Sequence, residues 1–182
     1  MSTNEYTTRI IRELDEILAA VDEQSVIELI EKIKSAKRIY LAGAGRSLLM
    51  IRSFAMRLMH LGYETYVVGD TTTPAVEAGD LVIFGSGSGE TGALKTMAEK
   101  ARGIGATIAL VTYSPKSTIG ETADVVVEIP IGIISNKLQP AGSSFEQSML
   151  ILFDALVLSV YRDEYNEQDI DAFIKIRHAN LE

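Results

Sequence analysis

Five short apolar runs recur along the chain, most of them separated by segments with helical periodicity. That alternation constrains the fold more than any other feature. The runs are "RIYLAG" from Arg38, "ETYVVG" from Glu64, "DLVIFGS" from Asp80, "TIALVTYS" from Thr107 and "DVVVEIP" from Asp124. Runs so short and so continuously apolar fit strands covered on both faces, as in a parallel sheet flanked by helices. The pattern predicts an α/β protein: a three-layer αβα sandwich around a five-stranded parallel sheet, in the order 2-1-3-4-5 found in other five-strand folds of this class.

The helices read from their periodicity. "EYTTRIIRELDEILAA" places Ile10, Ile11, Leu14, Ile17 and Leu18 on one face. Asp22 reads as the N-cap of a second helix carrying Val26, Ile27, Leu29, Ile30 and Ile33. "SLLMIRSFAMRLMHLG" stops near Gly62, and "TGALKTMAEKARGIG" also stops on glycine. The link between the fourth and fifth strands is short, so its helix is the least defined. "FEQSMLILFDALVLSVY", from Phe145, is a long apolar helix, and "EQDIDAFIKIR", from Glu167, is a last one. The reading is one domain over 1–182, with N-terminal helices (1–36), the sandwich (37–162) and a C-terminal helix and tail (163–182). A chain of this length buries roughly 70% of the surface it exposes when unfolded.

Composition removes several function classes. The net charge is -8 and no basic block occurs, so nucleic acid is not an expected partner. There is no cysteine, which excludes disulfides and thiolate metal sites. The two histidines, His60 and His178, are far apart, and a metal site with several His ligands from one chain is not expected. The N-terminus is polar, unlike a signal peptide, and no apolar run reads as a membrane span. The expectation is a soluble cytoplasmic protein.

With strand order 2-1-3, the topology reverses between strands one and three, and ligands bind outside the carboxyl ends of the strands at such a point. Two unusual loops fall there: "GAGRS", Gly43 to Ser47, and "GSGSGET", Gly85 to Thr91. Each feeds a helix N-terminus, whose free N–H groups and dipole favour an anion. Gly45, Gly85, Gly87 and Gly89 let the backbone approach closely, while Ser47, Ser86, Ser88 and Thr91 add hydroxyls and Arg46 a cation. Together they suit a phosphate monoester. Ser and Thr are also ordinary helix caps, and Gly is ordinary in turns. The coincidence of both loops at one switch point is what favours an anion site. "GAGRSL" has Leu48 where a dinucleotide fingerprint needs its third glycine, and only Asp70 comes near the ribose position. No Walker Gly-Lys-Ser/Thr is present. A mononucleotide phosphate stays open on these grounds.

"GAGRS" followed by "SGSGET" resembles the sugar isomerase (SIS) domain, a flavodoxin-like fold that binds phosphosugars. Its motif Ser-x-Ser-Gly-x-Thr is matched by Ser86, Ser88, Gly89 and Thr91. "FAMRLMHLG" (Phe54 to Gly62), "QPAGSSFEQ" (Gln139 to Gln147) and "RHANLE" (Arg177 to Glu182) resemble the 6-phospho-3-hexuloisomerase family within it. Leu48, where that family's pattern leads one to expect glycine, should alter helix packing more than chemistry. The resemblance implies isomerisation of D-arabino-hex-3-ulose 6-phosphate to D-fructose 6-phosphate through an enediol. It places the reaction in the ribulose monophosphate route of formaldehyde fixation. It also implies no cofactor and no metal, a homotetramer with sites at subunit interfaces, and functional pairing with a hexulose-phosphate synthase.

Under that resemblance Glu146 and His178 are the catalytic residues. Glu146 would move the proton between carbons, and His178 would serve the oxygens, donated across an interface. Without the resemblance Glu146 reads as a first-turn partner of the helix dipole, and His178 as a solvated tail residue. Gly45, Arg46, Ser47, Ser86, Gly87, Ser88 and Thr91 would hold the substrate, with Arg57 and Glu182 near the site or at an interface. His60 reads as packed or as a helix-end cation, Glu90 as a helix-dipole partner, and Met50, Met56, Met59, Met97 and Met149 as core filler. Two alternatives remain. One is another phosphosugar isomerase of this fold, for arabinose 5-phosphate or sedoheptulose 7-phosphate. The other is a non-catalytic phosphosugar sensor, although the segment before the first strand is acidic rather than DNA-binding in character.

Overall fold

The computed structural model describes residues 2–165 and 169–181. Strands β1 (Ile39–Gly43), β2 (Thr65–Val67), β3 (Leu81–Gly85), β4 (Thr107–Thr112) and β5 (Val125–Glu128) form one parallel sheet in the order β2-β1-β3-β4-β5. Successive side chains of a strand point to opposite faces, and here both faces are buried. Ile39, Leu41, Ile83 and Val111 join the core beneath helices α2 (Glu23–Ser35), α3 (Gly45–Leu61) and α6 (Ala141–Tyr165). Tyr40, Ala42, Val82, Phe84 and Leu110 face α4 (Gly92–Ile104) and the short α5 (Thr118–Thr122). Helix α1 (Thr3–Ala19) packs on α6, and α7 (Ile170–Lys175) packs on α3.

Local signals set the helix ends. Ser2 and Glu5 close a capping box on α1, and the Asp22 carboxylate accepts from Ser25 N at 3.1 Å at the start of α2. Gly62 and Gly105 end α3 and α4 in the left-handed region. The crossover from β2 to β3 has no helix. That connection covers Tyr40, whose hydroxyl donates to Ala75 O at 2.9 Å.

Four expectations change. Helix α6 begins at Ala141, not Phe145, so Gly142, Ser143 and Ser144 are helical. The Pro140 carbonyl accepts from Ser143 N and Ser144 N, and burial of Ser144 and Phe145 overrides weak helix propensity. The last helix ends at Lys175 rather than Arg177, whose guanidinium lies over the Phe173 ring and reaches His60 O. The expected first residues of that helix, Glu167 and Gln168, lie outside the described residues. Of the methionines, Met149 is core and Met50 packs against it, whereas Met56, Met59 and Met97 are exposed on outward helix faces.

Helix α6 is also long and apolar enough to cross a membrane, at 25 residues, contrary to the sequence expectation. Its buried face (Phe145, Met149, Phe153, Leu156, Val160) packs into the protein as a core helix does, and Phe153 stacks on Phe54 of α3 at 4.0 Å.

Candidate active site

The last residues of β1 and β3, Gly43 and Gly85, are paired in register, so both loops leave the sheet side by side. A Cβ on Gly85 would lie 2.6 Å from Ile51 and 3.1 Å from Met149, so α3 and α6 press directly on the base of the crevice. Ala44 caps α3 without a side-chain bond, which leaves the first-turn N–H groups of Gly45, Arg46 and Ser47 without intrahelical acceptors. Leu48 is half-buried and packs against the core.

The second loop is knitted from within. Ser86 Oγ accepts from Gly89 N, and Ser88 Oγ from Glu90 N, each at 3.2 Å. Both hydroxyls thus spend an acceptor site on the loop and keep their protons to donate elsewhere. Ser86 is buried and Ser88 exposed. Thr91 is the N-cap of α4 and makes no side-chain cap bond. The Gly87 carbonyl accepts from Thr112 Oγ1 at 2.7 Å and from Tyr113 N at 3.2 Å. Gly89 has φ +63, and a Cβ there would stand 1.9 Å from Ser117 Oγ, so no larger residue fits.

Glu90 is a helix-dipole partner, but of α5 rather than α4. Its Oε1 accepts from Thr118 N at 2.6 Å. Its Oε2 accepts from Thr118 Oγ1 at 2.9 Å and pairs with Lys95 Nζ at 3.0 Å. These bonds, the Thr118 N–H foremost, hold its pKa down to about 2.

Glu146 stands in the second turn of α6 and points at the start of α3. Its Oε2 accepts from Arg46 Nε at 2.5 Å, with the Glu146 side chain 12% exposed and that of Arg46 66%. The next residue back, Phe145, meets Tyr113 edge-on at 5.5 Å, and Tyr113 in turn lies against Gly87. The base candidate and the hydroxyl-rich loop are therefore braced through one aromatic pair. Sequence reasoning missed Tyr113 and Thr118; both follow β4, whose end adjoins β3, and that adjacency was the available signal. A concavity of about 370 Å³ opens away from these residues, between α1 and the loop ahead of α6.

The structure does not bring every expected residue together. His178 stacks on His60 at 5.6 Å, and Arg57 lies near them. Arg46 and His60 sit at opposite ends of α3, about 21 Å apart by helical rise. Within one chain, then, neither His178 nor Arg57 reaches Glu146. His60 is buried, and desolvation, then Arg57 and His178, lower its pKa, so it is a packed neutral imidazole rather than a helix-end cation. Glu182 lies outside the described residues.

Chemically, the crevice offers N–H and hydroxyl donors for an anion, a carboxylate to take a proton and a guanidinium to meet negative charge. Residues 32–159 match the family model described as the SIS domain. The chain is 39% identical to a 3-hexulose-6-phosphate isomerase of Bacillus subtilis (strain 168) over 100% of both chains. It is 41% identical to one of Mycobacterium gastri, covering 93% of this chain and 86% of that one. A crystal structure from Methanococcus jannaschii, whose molecular function was inferred as 3-hexulose-6-phosphate isomerase, matches with a TM-score of 0.85. It is 35% identical and covers 98% of this chain and 99% of that one. With this site at the switch point of this sheet, the chain belongs to the SIS domain family.

Proposed function

We propose that this protein isomerises D-arabino-hex-3-ulose 6-phosphate to D-fructose 6-phosphate. The observation that carries the reading is Glu146, largely buried and held against Arg46 beside the Ser86–Thr91 loop. The names of the relatives at 39% and 41% identity support the choice of sugar.

Moving the carbonyl from C3 to C2 requires loss of the C2 proton and gain of one at C3. Glu146 takes the C2 proton, and an enediolate spans C2 and C3. The same carboxyl returns the proton to C3, while the O2 proton leaves and O3 gains one as the C2 carbonyl forms. Arg46 meets the negative charge on the enediolate oxygens. Ser47, Ser86, Ser88, Thr91 and the first-turn N–H groups hold the 6-phosphate and set the distance to Glu146. His178 of a neighbouring subunit moves the proton between the oxygens, in a homotetramer with sites at subunit interfaces. In the cytoplasm the enzyme would work beside a hexulose-phosphate synthase in formaldehyde fixation.

A coupled assay tests this. Ribulose 5-phosphate, formaldehyde and a hexulose-phosphate synthase are supplied, and fructose 6-phosphate is followed with and without the protein. Protein-dependent formation supports the reading. No formation, with folded protein and active synthase, shifts the substrate to another phosphosugar or the role to sensing.

A further inference from the structure

We propose that Glu90 is a positioning residue for the phosphate cradle: its carboxylate straps the Ser86–Thr91 loop to the start of α5 and so fixes Ser88 with its hydroxyl proton turned outward. The inference rests on reading that loop as a phosphate cradle. Glu90 acts at both ends of the strap. Its backbone N–H occupies an acceptor site of Ser88 Oγ at 3.2 Å, while its side chain crosses to Thr118 N at 2.6 Å and Thr118 Oγ1 at 2.9 Å. Two neighbouring contacts run the same way. Gly89 O accepts from Ile119 N at 3.3 Å, and the backbone of Gly89 lies against the Ser117 side chain. From its own helix the loop gets the Lys95 contact to Glu90, but Thr91 makes no side-chain cap bond and α4 has no acidic residue in its first turn.

A carboxylate beside a phosphate would normally repel it. Here the charge is turned away from Ser88 toward Thr118 and is paired with Lys95 at 3.0 Å. The side chain is 48% exposed, so solvent screens what remains, and the role is geometric rather than electrostatic. A loop ordered before the ligand arrives loses less freedom on binding.

The test compares Glu90→Ala and Glu90→Gln with the parent protein, measuring fructose 6-phosphate binding by calorimetry and turnover by the coupled assay. The alanine variant should weaken binding and raise KM about tenfold, with kcat within about twofold and the circular dichroism spectrum retained. Glutamine, which keeps an acceptor for Thr118 N, should recover most of the loss. Unchanged binding in Glu90→Ala would overturn the strap, as would a kcat that falls as far as KM rises. Failure of the parent protein to bind fructose 6-phosphate would overturn the cradle reading, and the strap with it. Calorimetry needs no turnover, so binding without isomerisation would remove the proposed reaction and leave the strap to be decided by the variants.

Discussion

Arg46 Nε donates to Glu146 Oε2 over 2.5 Å, and the two partners are unequally held: the carboxylate is 12% exposed, the guanidinium 66%. Glu146 is fixed by α6, whereas the Arg46 side chain extends from the first turn of α3 into solvent. The arginine is therefore the partner free to move. On the proposed reaction, a sugar entering the crevice would draw it to the C3 carbonyl oxygen and O2, releasing a carboxylate already oriented to take the C2 proton. Two substitutions separate the halves of this pair.

Glu146→Gln keeps the size and one acceptor but removes the base. Turnover in the coupled assay should fall by about 10²–10⁴-fold, with KM little changed and the circular dichroism spectrum retained. Near-normal turnover would remove Glu146 as the base.

Arg46→Ala removes the cation that meets the oxyanion. Its kcat should fall by about 10²–10³-fold. Arg46→Lys should recover only part of the loss, because an ammonium is a point charge and lacks the planar fork that can span two adjacent oxygens. A lysine variant with full activity would show that charge alone suffices.

Ser88 is exposed and keeps its proton for an acceptor outside the loop. Ser88→Ala should weaken fructose 6-phosphate binding by about tenfold, the usual effect of one hydrogen bond to a charged group. The loss should appear in affinity rather than in kcat. A titration that gives the parent affinity would take Ser88 out of the cradle.

The packed imidazole of His60 predicts a pH effect on stability. Desolvation first, then Arg57 and His178, lower its pKa in the folded chain. In the unfolded chain the value returns to about 6.5. Between the lowered value and about 6.5 the unfolded state binds more protons, so stability rises with pH there. The contribution is complete above about pH 6.5 and is lost as pH falls toward the folded value. Thermal unfolding at about pH 7.5 and about pH 5 should show a larger acid loss in the parent protein than in His60→Leu. Equal losses would sink the assignment.

What the sequence made legible follows from how locally each feature is encoded. Continuous apolar runs such as "LVIF" alternating with helical segments pointed to strands covered on both faces, while the strand order, and with it the switch point, came by analogy with other five-strand folds of this class. The two loops followed from that topology. The start of α6 was misplaced because "GSS" has weak local helix propensity and is held by the burial of Ser144 and Phe145, which only the tertiary fold decides. Met56, Met59 and Met97 look like core residues to a periodicity argument, and only the neighbours of α3 and α4 show that they face outward. Glu90 was read against the helix that follows it, yet its partner is Thr118, 28 residues away. The docking of His178 on His60 joins positions 118 residues apart (178 − 60) and has no periodic signature.

That docking sets the last prediction. Each chain carries Glu146 near one end of α3 and His178 at the other, about 21 Å away by helical rise, so one chain does not complete a site that uses both. If a neighbouring subunit supplies the histidine, Glu146→Gln and His178→Ala chains are complementary. Alone, each should be nearly inactive. Unfolded together and refolded as mixed oligomers, they should regain about a quarter of parental activity, because a site then needs one particular chain at each of two positions. Size-exclusion chromatography of the mixture checks that oligomers have re-formed. Activity no higher than the sum of the separate variants, with oligomers restored, would place His178 outside the catalytic step or within its own chain's site.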